Sequence, residues 1–106
     1  MKRKNPRPQK IERLLDVIKQ CIESGRYLSC LHLELREEER GITRREVLNV
    51  LLTGFHEKKE DGFDEVYQKW HYAIRGKTLD ARELRVFISF DETTKMIIIT
   101  TYEMGV

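Results

Sequence analysis

The hydrophobic period of this chain changes once along its length, from about 3.6 residues to 2, and that change limits the fold more than any other feature. In the first half apolar side chains recur at three and four: Ile11, Leu14, Leu15, Ile18 and Ile22, then Val47, Leu48, Val50, Leu51 and Leu52. In the second half they alternate. Trp70, Tyr72 and Ile74 share one face of a strand and His71, Ala73 and Arg75 the other, and Leu84, Val86, Ile88 and Phe90 oppose Arg85, Phe87 and Ser89. A helix buries a stripe and a strand buries a face. Helices first and neighbouring strands last predict an α+β domain, with N-terminal helices packed on a three- to four-stranded antiparallel sheet. With 106 residues there is apolar surface for one core.

Local signals set the expected boundaries. The first helix starts near Ile11 and stops at Ser24-Gly25. Tyr27 to Arg40 is ambiguous, because Leu28, Leu31 and Leu35 fit a helix while Leu31-His32-Leu33-Glu34-Leu35-Arg36 alternates. Its Leu, Glu and Arg content, the lack of β-branched residues from Ser29 to Arg40 and Ser29 as N-cap favour a second helix. After Gly41, Thr43 and Glu46 form a capping box that starts a third helix, ended by Thr53-Gly54. Phe55 to Glu65 reads as a short edge strand running into a mobile acidic loop. Gly76 to Asp80 turns the chain, Asp91 to Lys95 is a hairpin loop, and Met96 to Tyr102 is apolar on both faces like a central strand.

Charge is unevenly placed. The total is +2, yet residues 1–10 hold Lys2, Arg3, Lys4, Arg7 and Lys10 with no acid, so the remaining 96 residues sum to −3. Residues 1–10 are therefore expected as a basic flexible arm, kept extended by Pro6 and Pro8, and 11–106 as the domain. Such an arm either touches nucleic acid or is a solvated leader. No uncharged stretch nears the roughly 20 residues that cross a bilayer, and no apolar segment follows the basic start. Cys21 and Cys30 form no C-x-x-C pair and are expected as reduced thiols, which points to a cytoplasmic protein. Cysteine and histidine spacing supports no four-ligand zinc site. Phosphate-binding and dinucleotide-binding glycine loops, H-E-x-x-H, the nucleophile elbow and the EF-hand pattern are missing as well, so neither metal nor cofactor is expected.

What remains is a set of basic and aromatic residues. His32, Arg36 and Arg40 are spaced by four and share a helix stripe. Arg75 and Arg85 point away from the apolar rows of their strands and become neighbours or diagonal neighbours if the strands pair, with Arg82 flanking them. Guanidiniums offer planar forks to phosphate oxygens, and an imidazole titrates near neutrality. Metal-free RNA cleavage needs such parts: a base for the 2′-hydroxyl, a cation for the phosphorane and an acid for the leaving oxygen. His32 is the candidate base or acid, Arg36, Arg75, Arg82 and Arg85 hold phosphate, and Tyr102 stacks or donates a proton. Arg40, Tyr72 and Lys77 are expected to contact RNA.

A plainer reading stands beside each. His32 with Arg36 and Arg40 fits a solvated helix face paired to Glu34, Glu37 or Glu39. Trp70 and Tyr72 fit a core, and Glu57, Glu60, Asp61, Asp64 and Glu65 fit a solvated acidic loop better than a divalent-cation site. His56 and His71 have no evident partners.

The run from Leu31 through His32, Arg36 and Arg40-Gly41-Ile42-Thr43 to Glu46-Val47 resembles an uncharacterised family of small bacterial proteins with an H-x-x-x-R-x-x-x-R-G-I-[ST]-x-x-E-[VI] signature. Tyr72-Ala73-Ile74-Arg75-Gly76, Arg82-Glu83-Leu84-Arg85-Val86 and Ile98-Ile99-Thr100-Thr101-Tyr102 match its strand motifs, so the likeness spans about residues 28–103. It implies a RelE-like fold, distantly similar to RelE-like and BrnT-like toxins. It also implies a toxin that cleaves messenger RNA without metal, silenced by a cognate antitoxin of the MqsA or YgiT zinc-finger, helix-turn-helix type. The sheet lacks the clustered lysines of ribosome-dependent relatives. Two other readings compete: a non-catalytic interaction module docking a partner protein by the same face, and a nucleic-acid-binding regulator using the Lys2 to Lys10 arm.

Overall fold

The structure is a computed structural model that describes residues 7–29 and 41–104. The second expected helix beyond Ser29, with Cys30, His32, Arg36 and Arg40, lies outside the described residues, as do residues 1–6 of the arm.

Helix α1 spans Leu14–Ser24 and buries Leu14, Ile18 and Cys21. It ends where predicted: Gly25 takes the left-handed conformation at φ 74°, and its amide returns to the last turn. The helix begins three residues later than Ile11, whose amide instead donates to Tyr72 Oη at 3.0 Å. Helix α2, Arg44–Thr53, opens on the expected capping box, with Glu46 N–H donating to Thr43 Oγ1 at 3.1 Å and Thr43 N–H to Glu46 Oε1 at 2.9 Å. Val47, Val50 and Leu51 face the core.

The strands are β1 Tyr27–Ser29, β2 Phe55–His56, β3 Gly62–Asp64, β4 Lys69–Lys77, β5 Glu83–Phe90 and β6 Met96–Met104. They form one sheet in the order β1-β6-β5-β4-β2, with β3 also on β4. The expected three- to four-stranded antiparallel sheet is thus corrected to six strands and mixed, since β1 pairs parallel to β6. Ser29, expected as a helix N-cap, is the last residue of that strand.

The expected mobile acidic loop is also corrected. It is built from β2, a 3₁₀ turn at Lys58–Glu60 and β3, and it closes the outer edge of β4. Between the two short strands Glu57 N–H donates to Ala73 O at 2.8 Å, and Ala73 N–H donates to Asp61 Oδ1 at 3.0 Å. A side chain thereby completes a ladder that the backbone leaves, as buried amides require.

Both helices cover one sheet face, and the core forms there from Leu14, Ile18, Val47, Val50, Leu51, Ile74, Leu84, Val86, Ile88 and Ile98. A bulge opposite Phe87 and Ile88 inserts Ile99 as an extra residue against β5 and shifts the parity of β6, so that Thr101 pairs with Val86 and Thr100 with Phe87. The two-sided apolar run of Met96 to Tyr102 reflects this shift. Among the described residues no helix is long and apolar enough to cross a membrane.

Candidate functional site

The face turned away from the helices carries His71, Ala73 and Arg75 from β4, Glu83, Arg85, Phe87 and Ser89 from β5, and Ile97, Thr100 and Tyr102 from β6. The expected adjacency holds: Arg75 and Arg85 are direct cross-strand partners. Like charges in that position repel and cost stability. What offsets the repulsion is Glu57, carried over the face by the turn that follows β2. Its carboxylate is 6% exposed and accepts from Arg85 Nε at 2.7 Å, Arg85 Nη2 at 3.1 Å and Arg75 Nη1 at 3.1 Å. Hydrogen bonding by Arg85, opposed in part by burial and joined by Arg75, holds the Glu57 carboxyl below its ordinary range. Arg75 also reaches Glu83 at 2.6 Å and Arg85 reaches Glu60 at 3.4 Å. Two guanidiniums are therefore pre-set around the two oxygens of one planar anion.

Tyr102 is the cross-strand partner of Arg85 on the same face, 43% exposed. Its ring meets Phe87 edge to face at 5.9 Å, and Phe87 meets His71 at 5.9 Å, so three rings cross the sheet in a row beside the arginines. Beyond His71 the row opens into a cleft of about 350 Å³ lined by Ile97, Ile99, Tyr67, His71, Ser89, Asp64 and Lys69. The His71 imidazole lies over Gly62, where any Cβ would collide with it. A larger hollow of about 460 Å³ beside α1, lined by Gln20, Cys21, Glu23 and Arg26, contains no imidazole.

Other expected site residues are placed elsewhere. Arg82 has the parity of Leu84 and turns to the helix side, bonding Glu46 of α2 at 3.0 Å and Asp80 at 3.1 Å. It does not join the Arg75–Arg85 pair. Tyr72 is 3% exposed, in the core against His56 and Phe90, and its burial raises its phenol pKa, which removes it as a base-stacking residue. Lys77 is exposed at the end of β4 opposite Glu83. His56, on the core side, bonds the fully buried Asp61 carboxylate at 2.7 Å, and Lys10 reaches the same oxygen at 2.9 Å.

Residues 7–10 lie against the domain. Trp70 Nε1–H donates to Pro8 O at 2.7 Å, and Arg7 and Lys10 stand over the Phe63 and Trp70 rings. Cys21 is a buried thiol donating to Thr94 O at 3.3 Å. Among the described residues no group of three His, Cys, Asp or Glu side chains is arranged to hold a metal.

Reading the residues alone misses Glu57, Asp61 and His71. The parity of β4 puts His71 with Arg75. The run Phe55-His56-Glu57 continues the alternation of an edge strand, which aims Glu57 at that same face.

The chain belongs to the family described as Domain of unknown function (DUF4258), whose model matches residues 30–103, from just after β1 into β6. Neither the curated proteins nor the solved structures give a match.

Proposed function

We propose that this member of the family is a cytoplasmic, RelE-like endoribonuclease toxin, with the open sheet face as its RNA-binding surface and a cognate antitoxin as its silencer. The observation that carries the reading is the direct opposition of Arg75 and Arg85, an arrangement that costs stability unless an anion lies between them. Glu57 supplies a carboxylate there, and a phosphodiester offers a similar pair of oxygens with the same need for forked donors. The rings of Tyr102, Phe87 and His71 continue from that point, as a single strand with unstacked bases requires.

In this reading the strand's phosphate takes the place of the Glu57 carboxylate between the two guanidiniums, which then face the charge that grows on the phosphorane. Tyr102, the cross-strand partner of Arg85, would in this reading donate to the leaving oxygen. His32, with Arg36 and Arg40, completes the proposal as base and phosphate contacts on the strength of the signature.

The test is to express the chain alone in bacteria, beside Arg85→Ala and His32→Ala versions. Growth arrest with fragmented messenger RNA for the parent, relieved in both variants at equal protein level, is the expected result. Equal growth and intact RNA in all three cultures would remove the ribonuclease.

A second reading, a protein-docking module without catalysis, has its own observation: Glu57, Glu60 and Glu83 already engage both arginines. It requires that the purified chain bind no single-stranded RNA even when Glu57 is changed to Gln.

A further inference from the structure

The cleft at the far end of the aromatic row is not used by the phosphate chemistry above, and its composition is that of a ligand pocket. Its volume of about 350 Å³ lies within the usual range of roughly 300–1,000 Å³ for small-molecule sites. Its apolar lining includes Ile97 and Ile99, the extra residue of the β6 bulge. Tyr67 also lines it, 73% exposed and held by a turn in which the Val66 and Tyr67 amides donate to Asp64 Oδ1 at 2.9 and 3.1 Å. His71 lines it as well.

A large exposed ring and aliphatic side chains lining one cleft suit a planar heterocycle. The polar lining narrows the choice. Asp64 Oδ2 and Lys69 Nζ have no partner among the described residues, and they stand at directly paired positions of β3 and β4. An acceptor beside a cation matches the guanine edge, where N1–H and N2–H donate and O6 accepts. Adenine presents a donor where the lysine would meet it, and the pyrimidines leave most of the apolar lining bare. Ser89 contributes little, since its hydroxyl already donates to Trp70 O at 2.9 Å.

We propose that this cleft is a guanine-binding pocket, taking one base of the same strand whose phosphate lies on Arg75 and Arg85. Position supports the link. His71 and Arg75 are four residues apart on one strand face, about 13 Å at the usual rise, a distance an extended strand covers within a few nucleotides. The rings of Phe87 and Tyr102 fill the interval. The inference rests on the RNA reading for the strand as a whole, but the pocket can be tested without it.

The experiment is a backbone-amide NMR titration of the full chain with each of the four free ribonucleosides, followed by binding of a fluorescein-labelled eight-nucleotide single-stranded RNA containing one guanosine. Guanosine is expected to shift the amides of Tyr67, Lys69, His71 and Ile99 in a saturating manner and at least several-fold more strongly than the other three nucleosides. Those shifts should vanish in Tyr67→Ala and Asp64→Asn but persist in Arg85→Gln. In the oligonucleotide, replacing the guanosine by an abasic site should weaken binding about tenfold. No saturating shift with guanosine, or equal shifts with all four nucleosides, would overturn the pocket. Guanosine shifts without any oligonucleotide binding would leave the pocket standing and sink the RNA reading instead.

Discussion

On the helix-covered face of the sheet Leu84, Val86, Ile88 and Ile98 are fully buried, while on the opposite face of the same strands Arg85, Phe87, Ser89 and Ile97 are only half-buried. The first face is a packed apolar layer that stabilises the fold in proportion to the surface it removes from water. The second face contains elements that packing alone would not select: two arginines in direct opposition, a glutamate buried to neutralise them, and three rings meeting edge to face. The polar pairs there are costly to desolvate and return little net stability. The contrast assigns stability to one face and, in the proposed reading, recognition to the other, and it can be broken by measurement.

The largest effect on the fold is expected from Ile88→Ala. Ile88 is fully buried in the core, and truncation should cost about 2–5 kcal/mol. Its chain neighbour Phe87, on the other face, should cost under about half of that when changed to Ala, because half its surroundings are water or side chains able to relax. Urea unfolding of the pair gives the comparison directly. Equal losses would mean that the second face is core as well.

Glu57→Gln is next. Removing the charge leaves Arg75 against Arg85, and a cost of roughly 1–2 kcal/mol is expected, kept small because both guanidiniums can reach solvent. The pH dependence follows from the sign of the shift. A carboxyl held below its ordinary range in the folded state stabilises fully above about pH 4 to 5 and loses that contribution as pH falls through the lower folded value. Glu46, held mainly by the Thr43 amide, Asp80, held by the Thr78 hydroxyl, and Asp91, held by Thr93, behave alike. The Gln variant should therefore show a shallower acid limb that does not become flat. In RNA binding the same change should increase affinity, since the phosphate no longer competes with a resident anion. A loss of affinity would show that Glu57 organises the arginines for RNA and does not stand in its place.

How far these features were readable depends on the range of the interactions that make them. The capping box at Thr43 and Glu46, the stop at Gly25 and the alternation of β4 and β5 are local, and each was legible in the residues. So was the adjacency of Arg75 and Arg85, because parity and a hairpin determine it. β1 was not, since three residues paired in parallel to the last strand gain their conformation from a partner some seventy positions away. Glu57 and Asp61 were lost in an acidic run, where burial of one carboxylate depends on two arginines brought up by other strands and burial of the other on an unfilled ladder position at Ala73. His32, Arg36 and Arg40 of the signature lie outside the described residues, so the link from them to the sheet rests on the resemblance.

Tyr102→Phe is expected to cost the fold least and to separate two roles that the row of rings leaves together. The ring keeps its edge-to-face contact with Phe87, and the position is 43% exposed, so water can replace what the hydroxyl provides and stability should stay within about 0.5 kcal/mol. If Tyr102 only stacks on a base, affinity for the labelled RNA and its cleavage rate both remain near those of the parent. If its phenol donates to the leaving oxygen, affinity is unchanged while cleavage falls by about 10²-fold or more, the usual weight of a general acid. A drop in affinity with cleavage of bound RNA unchanged would place the hydroxyl on the RNA as a binding contact, and would move the search for the acid to His71 or His32.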